Sequence, residues 1–146
     1  MTDRYIYVQS DESDIFFSDN QVYKFKVHLN TPLLLHGQWK VALVEFRAQE
    51  KTKSKATEAL YVYTDLCKES IVHGEEKALL RRLEKNKKAE WDYILKLPFY
   101  LPVIKKELRE FEIIIKRENG QFPTYLQTPL HLTLHLKPYP FFSEYG

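Results

Sequence analysis

Residues 130–137 read LHLTLHLK, and residues 22–29 read VYKFKVHL. In both stretches apolar side chains alternate with polar or charged ones. Successive side chains of a β-strand point to opposite faces of the sheet, so a period of two indicates a strand with one buried and one solvated face. The two stretches therefore predict antiparallel β-structure with one sheet face packed on a core.

Five other stretches are also typical of strands, and they lie at 5–10, 39–46, 60–66, 91–97 and 111–117. Turn-forming residues such as Asn119 and Gly120 separate many of them. Many short strands punctuated by turns indicate a sandwich or a barrel. The sequence therefore predicts an all-β protein, an antiparallel β-sandwich with at most one or two short helices.

Two stretches allow more than one interpretation. Residues 75–88, EEKALLRRLEKNKK, are rich in helix formers, and their leucines have helical spacing. The same segment also suits a strand at 78–83 that runs into a charged hairpin. Residues 103–110, VIKKELRE, are predicted as a short helix or turn that crosses one end of the sandwich.

Composition limits the class of protein. The chain of 146 residues is long enough for one domain that buries roughly two thirds of its unfolded surface. Its 22 basic and 20 acidic side chains nearly balance, which argues against specific attraction to nucleic acid. Cys67 is the single cysteine, so no intrachain disulfide is possible. Without a signal-peptide pattern or an apolar run of about 18 residues, the chain is expected to be made in the cytosol without membrane insertion.

Residue types that often carry chemistry are present, but their spacing does not favour a site. His131 and His135 on one extended strand would stand roughly 13 Å apart, too far to share a metal ion, and both are predicted on its solvated face. Cys67 has no base beside it. The acidic cluster at 11–14 lacks the glycine and distal glutamate of a calcium loop and is predicted as a solvated turn. The sequence therefore predicts no catalytic residue, no metal and no cofactor, and a protein that is not an enzyme.

Aromatic residues are the candidate contact residues. The chain divides into a single domain at 1–138 and an aromatic C-terminal tail at 139–146, which either folds back over its own core or docks on a partner subunit. Trp39 and Trp91 are assigned to the core, and the basic run at 85–88 to a solvated loop tip. The candidate interface residues are Phe99, Tyr100, Tyr139, Phe141, Phe142 and Tyr145.

Three blocks of the sequence carry motifs that occur together in a known family. Residues 17–46 carry Pro-Leu-x-Leu and Gly-x-Trp-x-Val-Ala-Leu-x-Glu. Residues 60–80 carry Leu-Tyr-Val-Tyr-x-Asp and Leu-Leu, and residues 100–136 carry Tyr-x-Pro-Val, Asn-Gly and the closing alternating strand. In these motifs and in their order, which together cover most of the chain, the sequence resembles the minor capsid (penton) proteins encoded by Polinton or Maverick elements and by the related adintovirus-like viruses.

The resemblance implies a single jelly roll of about eight strands, with 78–83 as the eighth strand. It also implies a homopentamer at the fivefold vertices of an icosahedral virion, in contact with a double-jelly-roll major capsid protein. The chain departs from the family in the short segment at 47–59, which implies that a projecting insertion is missing. It departs further in Lys40, where an acid is frequent, and in His73, which splits a Val-Gly pair.

Two other functions are compatible with the residues themselves. The first is a monomeric β-sandwich that binds a sugar or a peptide through exposed aromatic side chains. The second is a metal-dependent enzyme on a cupin-like barrel, although the histidine and glutamate spacing that such a site needs is missing.

Overall fold

The computed structural model describes residues 2–52, 59–85 and 90–139. Eleven β-strands occur in these residues. They are β1 (Arg4–Gln9), β2 (Lys24–Leu34), β3 (Trp39–Glu50), β4 (Ala59–Thr64), β5 (Ser70–Val72), β6 (Glu75–Lys77), β7 (Leu79–Glu84), β8 (Trp91–Ile94), β9 (Leu101–Pro102), β10 (Glu107–Arg117) and β11 (Leu126–Pro138). The part of the chain that the structure describes holds no helix with the length and apolar character needed to cross a bilayer.

Two antiparallel sheets form the body of the sandwich. Sheet A has the order β1-β11-β3-β8, with β9 added to β3, and sheet B has the order β2-β10-β4-β7. The pairing is nested along the chain, because β1 pairs with β11, β2 with β10, β3 with β8 and β4 with β7. The remaining strands, β5 and β6, form a separate small hairpin.

The eight strands expected from the sequence are all present, in the expected order. Residues 75–84 are the strands β6 and β7, so the helical alternative is wrong for the described part of 75–88. Tertiary packing overrides the helical propensity there, because β7 pairs with β4 and its Leu80 and Leu83 are buried in the core between the two sheets. A helix at 103–110 is also wrong, because Glu107 already begins the long strand β10.

The core lies between the two sheets and is one continuous cluster of apolar side chains. Phe25 and Phe111 of sheet B and Phe46 and Trp91 of sheet A are among its largest buried side chains. The two stretches with period two are confirmed as strands with one buried face, since the leucines of β11 and the apolar residues of β2 point into this cluster. Trp39 and Trp91 are both buried, which confirms their assignment to the core.

A buried ion pair closes the sandwich where β3 ends. Lys85 Nζ lies 2.8 Å from Glu50 Oε2, and the two side chains are only 3% and 5% exposed. The indole Nε1 of Trp91 donates to the same oxygen at 2.9 Å. The prediction of a solvated basic tip at 85–88 is therefore wrong for Lys85, whereas 86–88 lie outside the described residues.

Tyr93 points into the sandwich with a hydroxyl that has no hydrogen-bond partner in the described structure. Burial, with a smaller contribution from the charge of Glu84, raises the pKa of Tyr93 to about 12. We expect Tyr93→Phe to leave the free energy of unfolding unchanged or to raise it by about 1 kcal/mol, because no hydrogen bond is lost and a desolvated hydroxyl is removed. Urea denaturation measures the change.

The matched control for this substitution is Tyr100→Phe. The Tyr100 hydroxyl lies 2.8 Å from His135 Nδ1 and forms a hydrogen bond with it. Removing that hydroxyl is expected to lower the free energy of unfolding by about 1 kcal/mol. Equal losses in the two variants would contradict the assignment of the Tyr93 hydroxyl as unpaired.

Candidate binding face

The outer face of sheet A presents two rows of side chains that cross all four long strands. Each row takes one residue from β1, β11, β3 and β8 in that order, and the rows are Gln9–His131–Arg47–Asp92 and Tyr7–Thr133–Glu45–Ile94. Neighbouring strands are about 4.8 Å apart, so each row spans roughly 14 Å. The face is thus wide enough for a peptide, a short sugar chain or a second protein surface.

A groove of about 550 Å³ lies over these rows. Tyr7 and Ile94, at opposite edges of the sheet, are 71% and 72% exposed and line it. Inside the groove Thr133 Oγ1 donates to Glu45 Oε1 at 2.8 Å. The groove therefore combines apolar surface at its sides with hydrogen-bonding groups along its floor.

A second cluster occupies the same face where β3 begins, and Tyr100 is at its centre. Lys137 Nζ lies 4.4 Å from the centre of the Tyr100 ring, and Lys40 Nζ lies 5.3 Å from it. Lys40 also lies 5.5 Å from the ring of Tyr139. Two of the candidate interface residues, Tyr100 and Tyr139, therefore come together around one lysine.

His135 belongs to this cluster and corrects one prediction. Its Nε2 lies 2.9 Å from Asp3 Oδ2, its Nδ1 bonds to Tyr100, and its ring stacks on Tyr5 at 4.4 Å. These contacts bury His135, whereas His131 on the same strand is exposed as predicted. The solvated face expected for His135 is wrong because residues distant in sequence cover it.

The remaining candidate interface residues lie elsewhere or outside the described part. Phe99 is 61% exposed, and the guanidinium carbon of Arg81 lies 3.8 Å above the centre of its ring. Phe99 is therefore separate from the two tyrosines that share Lys40. Phe141, Phe142 and Tyr145 lie outside the described residues.

The outer face of sheet B carries the small hairpin. Val72 of β5 packs with Ala59 and Tyr61 on the outer side of β4. Tyr61 is consequently buried, and its hydroxyl lies 3.3 Å from His73 Nε2. Ile71, on the opposite side of β5, is 69% exposed. Sheet B thus has a raised feature where sheet A has a groove.

The exposed residues Tyr7 and Ile94 are absent from the sequence-based candidates. Tyr5 and Tyr7 alternate with the buried Ile6 and Val8 on β1, and this alternation is the signal that could have placed both tyrosines on an outer face. Ile94 gives a weaker signal, because it shares the outer face of β8 with the exposed Asp92 but is itself apolar.

No group of three or more potential metal ligands occurs among the described residues. The acidic cluster at 11–14 forms a turn, as predicted. Within it, Ser13 is buried, and its Oγ accepts the backbone N–H of His28 at 2.9 Å. This hydrogen bond holds the turn against β2.

Cys67 is buried, and its burial raises the pKa of the thiol to about 11. Because the thiolate is the reactive form, we expect the native protein at pH 8 to react with a thiol reagent about 100-fold more slowly than the protein unfolded in urea. The rate of reagent consumption measures this. Equal rates would mean that Cys67 is accessible and that its thiol titrates normally.

In comparisons with known proteins, no protein family and no curated protein matches this sequence. The functional proposal therefore rests on the strand pairing of the fold and on the sequence itself.

Proposed function

We propose that this protein is a structural subunit of a viral capsid, a penton protein that forms homopentamers at the fivefold vertices of an icosahedral virion. In this role it is not an enzyme, and it contacts a double-jelly-roll major capsid protein and further copies of itself. It acts through geometry, by presenting surfaces that fit neighbouring subunits, and binds neither specific nucleic acid nor membrane.

The nested strand pairing carries this proposal. When the first long strand pairs with the last, the second with the last but one, and so on inward, a folded-over antiparallel ribbon wraps into two sheets. A double-sheet sandwich of eight such strands is the arrangement of a jelly roll, which occurs in viral capsid proteins and also in other classes. The pairing of β1 with β11 and of β2 with β10 supports this topology.

The positions of the resembling blocks give further support. Residues 17–46 include β2 and the first part of β3, residues 60–80 include β4 to the start of β7, and residues 100–136 include β9, β10 and most of β11. The blocks therefore fall on paired strands of the sandwich rather than on its loops. This is the distribution expected if the resemblance reflects a shared fold.

The molar mass in solution tests the proposal. We expect light scattering across a concentration series to give about 88 kDa, because five chains of 17.5 kDa make that mass. Deleting residues 139–146 then tests the tail as a contact with the next subunit, and dissociation of the shortened chain is the expected result. A chain that stays monomeric at every concentration, and also with the major capsid protein present, would contradict the proposal.

A monomeric binding module is the second candidate, and the groove over sheet A favours it. A ring such as that of Tyr7 offers a surface for stacking, and Glu45 and Gln9 offer hydrogen bonds to a sugar or peptide. This candidate predicts a stable monomer with saturable binding that Tyr7→Ala removes. Calorimetric titration with neutral oligosaccharides and short peptides distinguishes it from the capsid subunit.

A further inference from the structure

Charges on the two outer faces are distributed unevenly along the strands. The sandwich has one end at Gly37, where β3 and β10 begin, and an opposite end at Asn119, where β10 finishes and β11 is about to start. These are called the Gly37 end and the Asn119 end. On each outer face, the charged side chains near one end differ in the sign of their charge from those near the other end.

On sheet A the Gly37 end is basic. Lys40 and Lys137 lie directly opposite each other on neighbouring strands, an arrangement in which like charges repel. Neither lysine has a carboxylate partner among the described residues, and the nearby Asp3 is bound to His135. Two adjacent ammonium groups held on one aromatic ring form a site that favours an anionic partner.

Toward the Asn119 end, sheet A becomes acidic. Glu12, Glu45 and Asp92 line the groove there. Arg47 is the cation among them, and its Nε lies 3.4 Å from Asp92 Oδ1. The acidic side chains that remain favour a cationic partner.

Sheet B has the opposite distribution. Near the Gly37 end, Glu110 and Glu112 project from β10, and neither carboxylate has an ion-pair partner in the described structure. Toward the Asn119 end the outward side chains Lys24 and Lys116 are basic and likewise lack carboxylate partners among the described residues. Lys26 of β2 lies between these two levels of charge, directly opposite Glu112. About 13 Å of strand separates Glu112 from Lys116.

The two faces are therefore complementary when copies stand side by side with the same end up. Rotation about an axis parallel to the strands brings sheet A of one copy to sheet B of the next and keeps each end level with itself. The lysines of sheet A then meet Glu110 and Glu112, and the acids of sheet A meet the lysines of sheet B. Turning one copy upside down between these faces would place like charges together.

The order of the strands also aligns the charged groups of the two faces in the direction across the strands. Arg81 of β7 donates to the carbonyl oxygen of Leu97, just beyond β8, at 3.0 Å, so these two edges of the sandwich lie together. Strand β2 therefore overlies β1, and β10 overlies β11. In a stack of copies, Lys24 of one copy comes opposite the turn that carries Glu12, and Glu112 comes opposite Lys137.

Shape adds to the charge match at the centre of the faces. The β5–β6 hairpin stands out from sheet B, and its exposed Ile71 points away from the sheet. The hairpin packs on β4, which overlies β3 beside β8, and on that side the groove of sheet A offers the exposed Ile94 as apolar surface. An apolar centre with charged groups toward the ends is the usual anatomy of a protein interface.

We propose that the outer face of sheet A binds the outer face of sheet B of a second copy of this chain, with equal ends aligned, and that the two matched charge clusters set this orientation. The contact is heterologous, because each face meets a different face, and such contacts close into a ring when the rotation fits. The inference rests on the proposed homopentamer and names the surfaces that form it.

Charge reversal tests the contact. In the first variant, Lys40→Glu and Lys137→Glu reverse the basic cluster of sheet A. In the second, Glu110→Lys and Glu112→Lys reverse the acidic cluster of sheet B. We expect each variant to raise the concentration at which half of the chains are assembled by at least about tenfold, because like charges then meet. Combining all four changes in one chain is expected to restore assembly.

The control variant carries Lys51→Glu and Lys68→Glu, two exposed lysines outside the strands, and is expected to assemble like the wild type. Circular dichroism melting checks that every variant is folded. If the wild type forms a pentamer that neither reversal weakens, the assigned faces are wrong while the proposed function stands. A dimer that only the first variant disrupts would overturn the inference in favour of a twofold contact between two A faces. A wild type that remains monomeric at every concentration, and also with the major capsid protein present, overturns both.

Discussion

Replacing Glu50 by glutamine is expected to lower the free energy of unfolding by about 3–5 kcal/mol, because it removes the carboxylate charge that the buried ammonium of Lys85 contacts. The two groups lie 2.8 Å apart with almost no exposure to solvent. Glutamine keeps an acceptor for the indole of Trp91, so the loss reports the charge rather than the hydrogen bond. Urea denaturation of the two proteins measures the difference.

Two further variants define the cause of that loss. Glu50→Gln combined with Lys85→Met removes both charges and is expected to recover most of the stability, since apolar groups of similar volume often replace a buried ion pair well. The exposed pair of Arg47 and Asp92, with side chains 67% and 50% exposed, supplies the control. Asp92→Asn is expected to cost less than about 1 kcal/mol. A similar small loss for Glu50→Gln would show that the Lys85 ammonium reaches water.

Phe111→Ala is expected to lower the free energy of unfolding by about 3–5 kcal/mol. Phe111 is 1% exposed and lies on β10 between the two sheets, where its ring contributes to the single core cluster. Truncation leaves a cavity that the flanking strands cannot close without breaking their pairing with β2 and β4. Chemical denaturation monitored by tryptophan fluorescence measures the loss.

The same truncation at an exposed ring provides the comparison. Phe99 is 61% exposed and contacts the guanidinium of Arg81, so Phe99→Ala is expected to cost about 1 kcal/mol or less. A cost near that value for Phe111→Ala would mean that the Phe111 ring is not enclosed between the two sheets. It would then contradict the sandwich itself.

The long strands could be predicted from the sequence because burial on one side imposes a period of two. Strands β2 and β11 show it plainly, and the structure buries the predicted side of each. The hairpin of β5 and β6 escapes this signal, since three residues are too few to show a period. The turn between these strands does have a sequence signal, which is Gly74. His73 and Gly74 both adopt positive φ angles, of 49° and 84°, and glycine favours such a conformation.

Burial of polar side chains could not be predicted in the same way. His135 is covered by Tyr100 and Asp3, and Lys85 is neutralised by Glu50, all of them distant along the chain. The residues next to Lys85 in the sequence are typical of a charged loop tip. They give no indication that Lys85 contacts Glu50. Contacts of this kind depend on the tertiary arrangement of strands rather than on periodicity.

The same limit applies to the candidate interface. The sequence singled out Tyr100 and Tyr139 as contact residues, and the structure brings them together around Lys40. It did not indicate Tyr7 or Ile94 as contact residues, because only the sheet order β1-β11-β3-β8 places them at the two sides of one groove. A face that is built from four strands can therefore be identified from the structure but not from the sequence alone.

The nested pairing also has a consequence for the order of events during synthesis. Among the nested pairs, β4 with β7 closes the shortest loop and can form early, whereas β1 must wait for β11, the last of the described strands. Folding is therefore expected to be slow and to finish only after β11 has left the ribosome. Sheet A contains both β1 and β11, so a chain that stops before β11 cannot complete this sheet or the groove over it. A chain cut short during synthesis is therefore expected to remain incompletely folded.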